Sequence, residues 1–188
     1  MATYAVRRWL GLAWLGIGSV VWAQPSSRSA VPAANSAIPV LYQTVAARHD
    51  VPADIFYAIA LGESRSALTD AAVRPWPWTL NVAGVGKRFN TREEAYTHLT
   101  QLLAQGRRNV DVGLVQVSWR WNGNRFESAW HALDPVVNLS TGARILRELK
   151  NECGDCSWWT VVGRYHNPTK PLLAAAYVQR VKAQWAQF

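Results

Sequence analysis

The sequence is short of cysteine and of acid. Its two cysteines in 188 residues, Cys153 and Cys156, stand three apart in NECGDCSWW. Two thiols with one nearby histidine, His166, do not make up the four ligands of a structural zinc site. The pair therefore reads as a local disulfide pinning a helix end, as suits an oxidising compartment. A redox-active dithiol and half of a metal site are the alternatives. Twelve Asp and Glu stand against twenty Lys and Arg, for a formal charge of +8. That surplus suits anionic lipid heads or an acidic polymer. It forms no concentrated stripe, and no Cys/His finger or RNP-type motif accompanies it, so nucleic acid is not an expected partner. No metal is expected either.

Also missing is an apolar run long enough to span a bilayer. The longest, WLGLAWLGIGSVVWA, has about 15 positions; it follows Arg7 and Arg8 and ends at Ala23. Gln24 and Pro25 come next and polarity rises at once. This is the pattern of a signal peptide over residues 1–23, and an uncleaved anchor is the alternative. Residues 24–37, QPSSRSAVPAANSA, read as a flexible spacer rich in Ser, Pro and Ala. Residues 38–188 then read as a single domain.

What that domain has in plenty is helical patterning. IPVLYQTVAARH predicts a first helix and DVPADIFYAIALGES a second, with Pro52 in the tolerated first turn. TREEAYTHLTQLLAQG predicts a third: Thr91 and Glu94 have capping-box spacing, and Ala95, Leu99, Leu102 and Leu103 form the apolar stripe. Asp134-Pro135 starts a helix through VVNLSTGARILRELK, with Leu139, Ala143 and Leu146 on one side. Ser157 caps WWTVVGRY, and Pro171 opens PLLAAAYVQRVKAQW, where Tyr177, Val181 and Trp185 line up. Residues 70–90 break the pattern. There WTLNV and KRF, with AGVG between them, predict a small β-ribbon or ordered loop. DVGLVQVSWRWNG fits a strand or a short helix or turn equally well. The expectation is a mainly α domain of five or six helical segments around a groove.

One residue does not suit its helix. Ile55, Ile59 and Glu63 are four apart, so an acid shares the line of two isoleucines. It is either a helix-end carboxylate paired with Arg65 or another arginine, or a partly buried acid. Burial would raise its pKa toward what a general acid needs near neutrality. Asp54, Asp70 and Asp111 are the other carboxylates to weigh, because a two-carboxylate glycosidase needs its pair on opposite sides of the scissile bond. Asp111, beside Gly113, reads as a turn or cap residue.

Taken in order, ALGES, WTLNVAG, DVGLVQVSWRWN, LDPVVNLSTGARIL and VVGRYHNP resemble the soluble lytic transglycosylase family. Its domain is lysozyme-like, of the goose type, and the resemblance is to the branch found with conjugation, type IV secretion and pilus machines. The resemblance implies cleavage of the MurNAc-β-1,4-GlcNAc bond of peptidoglycan with closure of a 1,6-anhydro ring, without a cofactor. Glu63 would be the single catalytic acid and base, followed by Ser64 of the family's Glu-Ser pair. Asn81 would bind the acetamido group or orient Glu63, with service to its own turn as the alternative. Gly113 would let the backbone pass close to the sugar, and Gln116 would reach the substrate or hold the groove. The Tyr165 hydroxyl would approach the acid, with His166 outside direct chemistry. Glycan strands are the implied substrate and components of an envelope-spanning machine the implied partners, in the periplasm. Trp119 and Trp121 share an alternating side near Gln116 and are candidates for stacking on sugar rings; Trp158 and Trp159 read as core or cleft wall. A lysozyme-type muramidase and a catalytically silent glycan-binding component are the alternatives.

Overall fold

The computed structural model describes residues 38–67 and 73–187. The signal segment 1–23, the spacer 24–37 and Asp70 lie outside the described residues. Among the described residues eight α-helices form: α1 Val40–Arg48, α2 Ala53–Ser64, α3 Arg92–Ala104, α4 Trp119–Asn122, α5 Ala129–Ala132, α6 Pro135–Cys153, α7 Trp158–His166 and α8 Pro171–Trp185. The molecule is mainly helical with a small antiparallel sheet. The helices beyond the expected five or six are α4 and α5, each one turn long and too short to show a period in sequence.

Helix α2 is central because it is apolar on every side: Ile55 through Leu61 are all buried. It packs against α1 and α8, while α6 packs against α1 and α7. Leu139, Ala143 and Leu146 of α6 are buried as their spacing predicts. Tyr177 and Val181 of α8 are also buried, whereas Trp185 is exposed and donates its indole N–H to Asp54 Oδ2 at 2.7 Å. Helix starts are set by local oxygen acceptors that satisfy orphan amides. Asp134 Oδ1 accepts from Val136 N at 2.9 Å and Val137 N at 3.1 Å, and Ser157 Oγ accepts from Thr160 N at 3.2 Å. Thr91 Oγ1 accepts from Glu94 N at 3.2 Å, but the Glu94 carboxylate reaches one residue further back than a capping box, to Asn90 N at 3.0 Å. Cys153 and Cys156 are joined as a disulfide at the C-terminal end of α6.

The expected ribbon is the edge of a larger sheet. Strands β1 Arg65–Ala67 and β2 Val73–Pro75 pair with each other, and β3 Thr79–Val82, β4 Val85–Arg88, β5 Val110–Val112 and β6 Val117–Ser118 form a second sheet in the order β4-β3-β5-β6, all antiparallel. The β3–β4 turn is Ala83-Gly84, both at positive φ (52° and 92°), tighter than the four residues AGVG. DVGLVQVSWRWNG is not one element: it holds β5, a turn at 113–116, β6 and α4. No helix among the described residues is long and apolar enough to cross a membrane.

Candidate active site

The line Ile55, Ile59, Glu63 runs from core to cleft. Both isoleucines are buried, and Glu63, one turn further at the end of α2, reaches the wall of a cleft of about 820 Å³. Asn81, Asp111, Gln116, Ser118 and Trp121 line it from the sheet side, and Ile145, Leu149, Arg164, Tyr165, His166 and Arg180 from the helical side. Ser64 does not face the cleft. It is buried, donating its hydroxyl to Leu114 O at 2.7 Å with Ala60 O 3.2 Å away, and so ties the end of α2 to the turn between β5 and β6.

Burial is the main influence on Glu63 and pushes its carboxyl up to about 7. The Tyr177 hydroxyl works against this by favouring the ionised form, the charge of Asp111 adds to it, and Arg180 opposes it. Tyr177 is buried on the line it shares with Val181. Its buried hydroxyl has no partner in strict hydrogen-bond geometry among the described residues, and the group it faces as donor is Glu63. The contact is therefore long or poorly aligned. The signal in the sequence was a tyrosine, rather than a leucine or phenylalanine, on a stripe that has no use for a hydroxyl. His166 stacks on the Tyr177 ring with centroids 4.2 Å apart and planes 7° apart. Burial and Arg180 hold its imidazole below the usual histidine range, hence neutral at pH 7.

Tyr165 lines the cleft, but its hydroxyl donates to Val115 O at 2.8 Å rather than to the acid. Burial, then the charges of Glu63 and Asp111, keep that phenol protonated. The sheet side holds the largest departure from expectation. Asp111 is neither a turn nor a cap: it is the middle residue of β5, paired in register with Asn81 on β3 and Ser118 on β6. Facing partners on neighbouring strands share a face, so the three polar side chains form a row, and all three line the cleft. Burial raises the Asp111 carboxyl and a hydrogen bond with Ser118 partly offsets this. A three-residue strand shows too little alternation to be read as one. Asp54, by contrast, is held by Trp185 and the amide of Ile55 at 2.9 Å, away from the cleft.

Asn81 commits its oxygen to its own hairpin, accepting from Gly84 N at 2.8 Å, which leaves its NH2 and one oxygen lone pair for the cleft. Gln116 holds the groove: at φ 46° it donates both amide hydrogens, to Gly113 O at 2.7 Å and to Thr79 O at 3.1 Å. Gly113 does not admit a sugar, since it is buried and lies off the cleft. It has φ 84°, and a Cβ there would sit 2.4 Å from the Asn138 side chain. Asn138, not singled out in sequence, is buried and fully used. Its Nδ2 donates to Val112 O at 2.9 Å and Ala132 O at 3.1 Å, and its Oδ1 accepts from Val115 N at 3.3 Å. An asparagine beside Leu139 on the buried face of α6 was the available signal.

The two candidate stacking tryptophans part company. They sit on α4, where residues two apart point roughly 200° from each other, so no strand alternation aligns them. Trp121 is 74% exposed and lines the cleft, while Trp119 lies flat on Phe126, planes 9° apart. Trp158 and Trp159 are half-buried and off the cleft, with Trp159 edge-on to Trp185. Among the described residues no group of three His, Cys, Asp or Glu could hold a metal ion.

No protein-family model, curated protein or solved structure matches the chain. The arrangement has one clear chemical capacity. An acid that is half protonated near neutral pH, in a groove with hydrogen-bonding groups opposite, can give a proton to a bound oxygen and take one back.

Proposed function

We propose that the protein is a peptidoglycan lytic transglycosylase with a lysozyme-like domain. The observation that carries this is Glu63, held near pKa 7 at the end of a buried helix in a polar-walled cleft. In this reading Glu63 protonates the glycosidic oxygen between N-acetylmuramic acid and N-acetylglucosamine, and that C–O bond breaks. The C6 hydroxyl of the muramoyl residue then attacks its own anomeric carbon and gives its proton to the Glu63 carboxylate. A 1,6-anhydro ring closes, no water is consumed, and the acid is regenerated. Asn81 and Ser118 offer hydrogen bonds to the sugar, Trp121 offers a ring face, and the Gln116 and Asn138 bonds keep that wall rigid. The resemblance of the ordered blocks to the conjugation, secretion and pilus branch supports export and local opening of the wall for an envelope machine.

Asp111 favours a second reading. A half-buried carboxylate in the same cleft could hold a water molecule, which is what a lysozyme-type muramidase requires. Mass spectrometry of purified peptidoglycan digested by the protein separates the two. Anhydromuropeptides released by the parent and not by Glu63→Gln are the expected result. Reducing-end products would give the reaction to water and Asp111, and no cleavage by the parent would sink both readings.

A further inference from the structure

Beside the cleft lies a second concavity, of about 420 Å³, whose walls include Arg107, Arg108, Arg120, Val82, Ala83 and Asn109. We infer that it receives the carboxylates of the peptide stems borne by a glycan strand lying in the cleft, an inference that rests on the proposed function.

Three features carry it. The first is charge: three exposed arginines line one hollow and no acidic residue lines it. Three arginines elsewhere pair with carboxylates, Arg92 with Asp134, Arg125 with Glu148 and Arg147 with Asp50. Arg107, Arg108 and Arg120 take part in no ion pair among the described residues; Arg120 only lies over the Trp121 ring, 5.1 Å from its centre. Scattered exposed arginines on a basic surface would mean nothing. Like charges gathered in a hollow without a counter-ion raise the local potential and favour an anion there.

The second feature is order. The segment carrying Arg107 and Arg108 is tied down by backbone bonds from Arg107 N to Leu102 O at 3.0 Å, Val110 N to Arg108 O at 2.9 Å and Ala83 N to Asn109 O at 3.3 Å. A backbone already held in place lowers the ordering cost of binding. The third is continuity with the cleft. The Arg120 guanidinium, from the wall of the hollow, lies 5.1 Å from the centre of the Trp121 ring, which lines the cleft. A glycan strand in the cleft would carry its peptide substituents past this opening. Those stems bear free carboxylates, and the planar arginine fork matches a carboxylate in two-bond geometry.

The test is calorimetric binding of three soluble ligands to the purified protein, with Glu63→Gln to prevent turnover. They are a disaccharide carrying an acidic peptide stem, the same compound with its stem carboxylates amidated, and the disaccharide without a stem. The acidic stem should bind about tenfold tighter than the amidated one. Arg107→Glu/Arg108→Glu should abolish that difference, and Arg107→Gln/Arg108→Gln should reduce it, with stemless binding unchanged in both. Equal affinity for acidic and amidated stems, or a preference that survives charge reversal, overturns the assignment. So does equal affinity joined to binding of phosphatidylglycerol vesicles that charge reversal removes, which would give the hollow to a lipid surface. Failure of the cleft reading is seen separately, as no binding of the stemless disaccharide while the acidic-stem preference persists.

Discussion

On the helical side of the cleft, burial is the main influence on Glu63, and the Tyr177 hydroxyl faces it only loosely. On the sheet side, Gln116 and Asn138 spend their amide hydrogens on backbone carbonyls, and Asp111 is held by Ser118. Both sides bury polar groups, but only one leaves its group undersatisfied. A satisfied buried network is rigid and chemically quiet. A carboxyl denied solvent and firm partners keeps its proton to higher pH, which is what an acid catalyst requires. Under the proposed function, the division of labour is between a wall that reacts and a wall that keeps shape.

The largest effect that would sharpen this contrast is expected at Glu63. Replacement by Gln should lower release of anhydromuropeptides by about 10²–10⁴-fold, the usual range for general acid–base help. The same change should stabilise. Folded Glu63 keeps its proton up to about pH 7, against 4.5 for the free side chain. Between those values the folded state binds more protons than the unfolded one, so stability that is full below 4.5 is lost as pH rises through 7. Melting scans should therefore show Glu63→Gln above its parent at pH 8 and level with it at pH 4; a lower melting point at pH 8 would contradict the buried-acid account. On the shape-keeping wall the losses should fall on stability first. Gly113→Ala places a Cβ against the bonded Asn138 side chain at a positive φ and should cost roughly 2–4 kcal/mol in urea unfolding. Gln116→Ala removes two buried hydrogen bonds, though Thr79 O keeps the amide of Gly113 and Gly113 O that of residue 116, and should cost about 1–3 kcal/mol by the same measurement.

The smallest effects cross between the walls, and they have opposite signs. Tyr177→Phe removes a donor that favours ionised Glu63, so the titration of Glu63 followed by carbon NMR should move to higher pH. Asp111→Asn removes a neighbouring negative charge, and the same titration should move to lower pH by a smaller amount. If both variants move it the same way, the electrostatic picture of the cleft is wrong.

The two walls were also unequally legible. Helices α2, α3, α6 and α8 could be read from apolar spacing and caps, because a long helix repeats its buried face several times. The position of Glu63 followed from the same spacing. Strands β5 and β6 have three and two residues, which is too few for alternation to show, so Asp111 passed for a turn residue and Trp119 and Trp121 for a pair. Tyr177 and Asn138 sat in helices that were correctly placed, yet a helix face shows only that a side chain is buried, not which group 114 residues away in the chain it will meet.

By itself, the sequence determined that the chain is mainly helical, where its longer helices begin, and that an acid continues a buried line. These are local properties, set within a few residues by backbone hydrogen bonding and the burial of one face. Tertiary structure alone decided that Asn81, Asp111 and Ser118 stand in a row, that Tyr177 rather than Tyr165 faces Glu63, and that Arg107, Arg108 and Arg120 share a hollow. Each of those depends on which strands pair and which helices pack. That choice is made by the whole core at once, and no short stretch of sequence carries it.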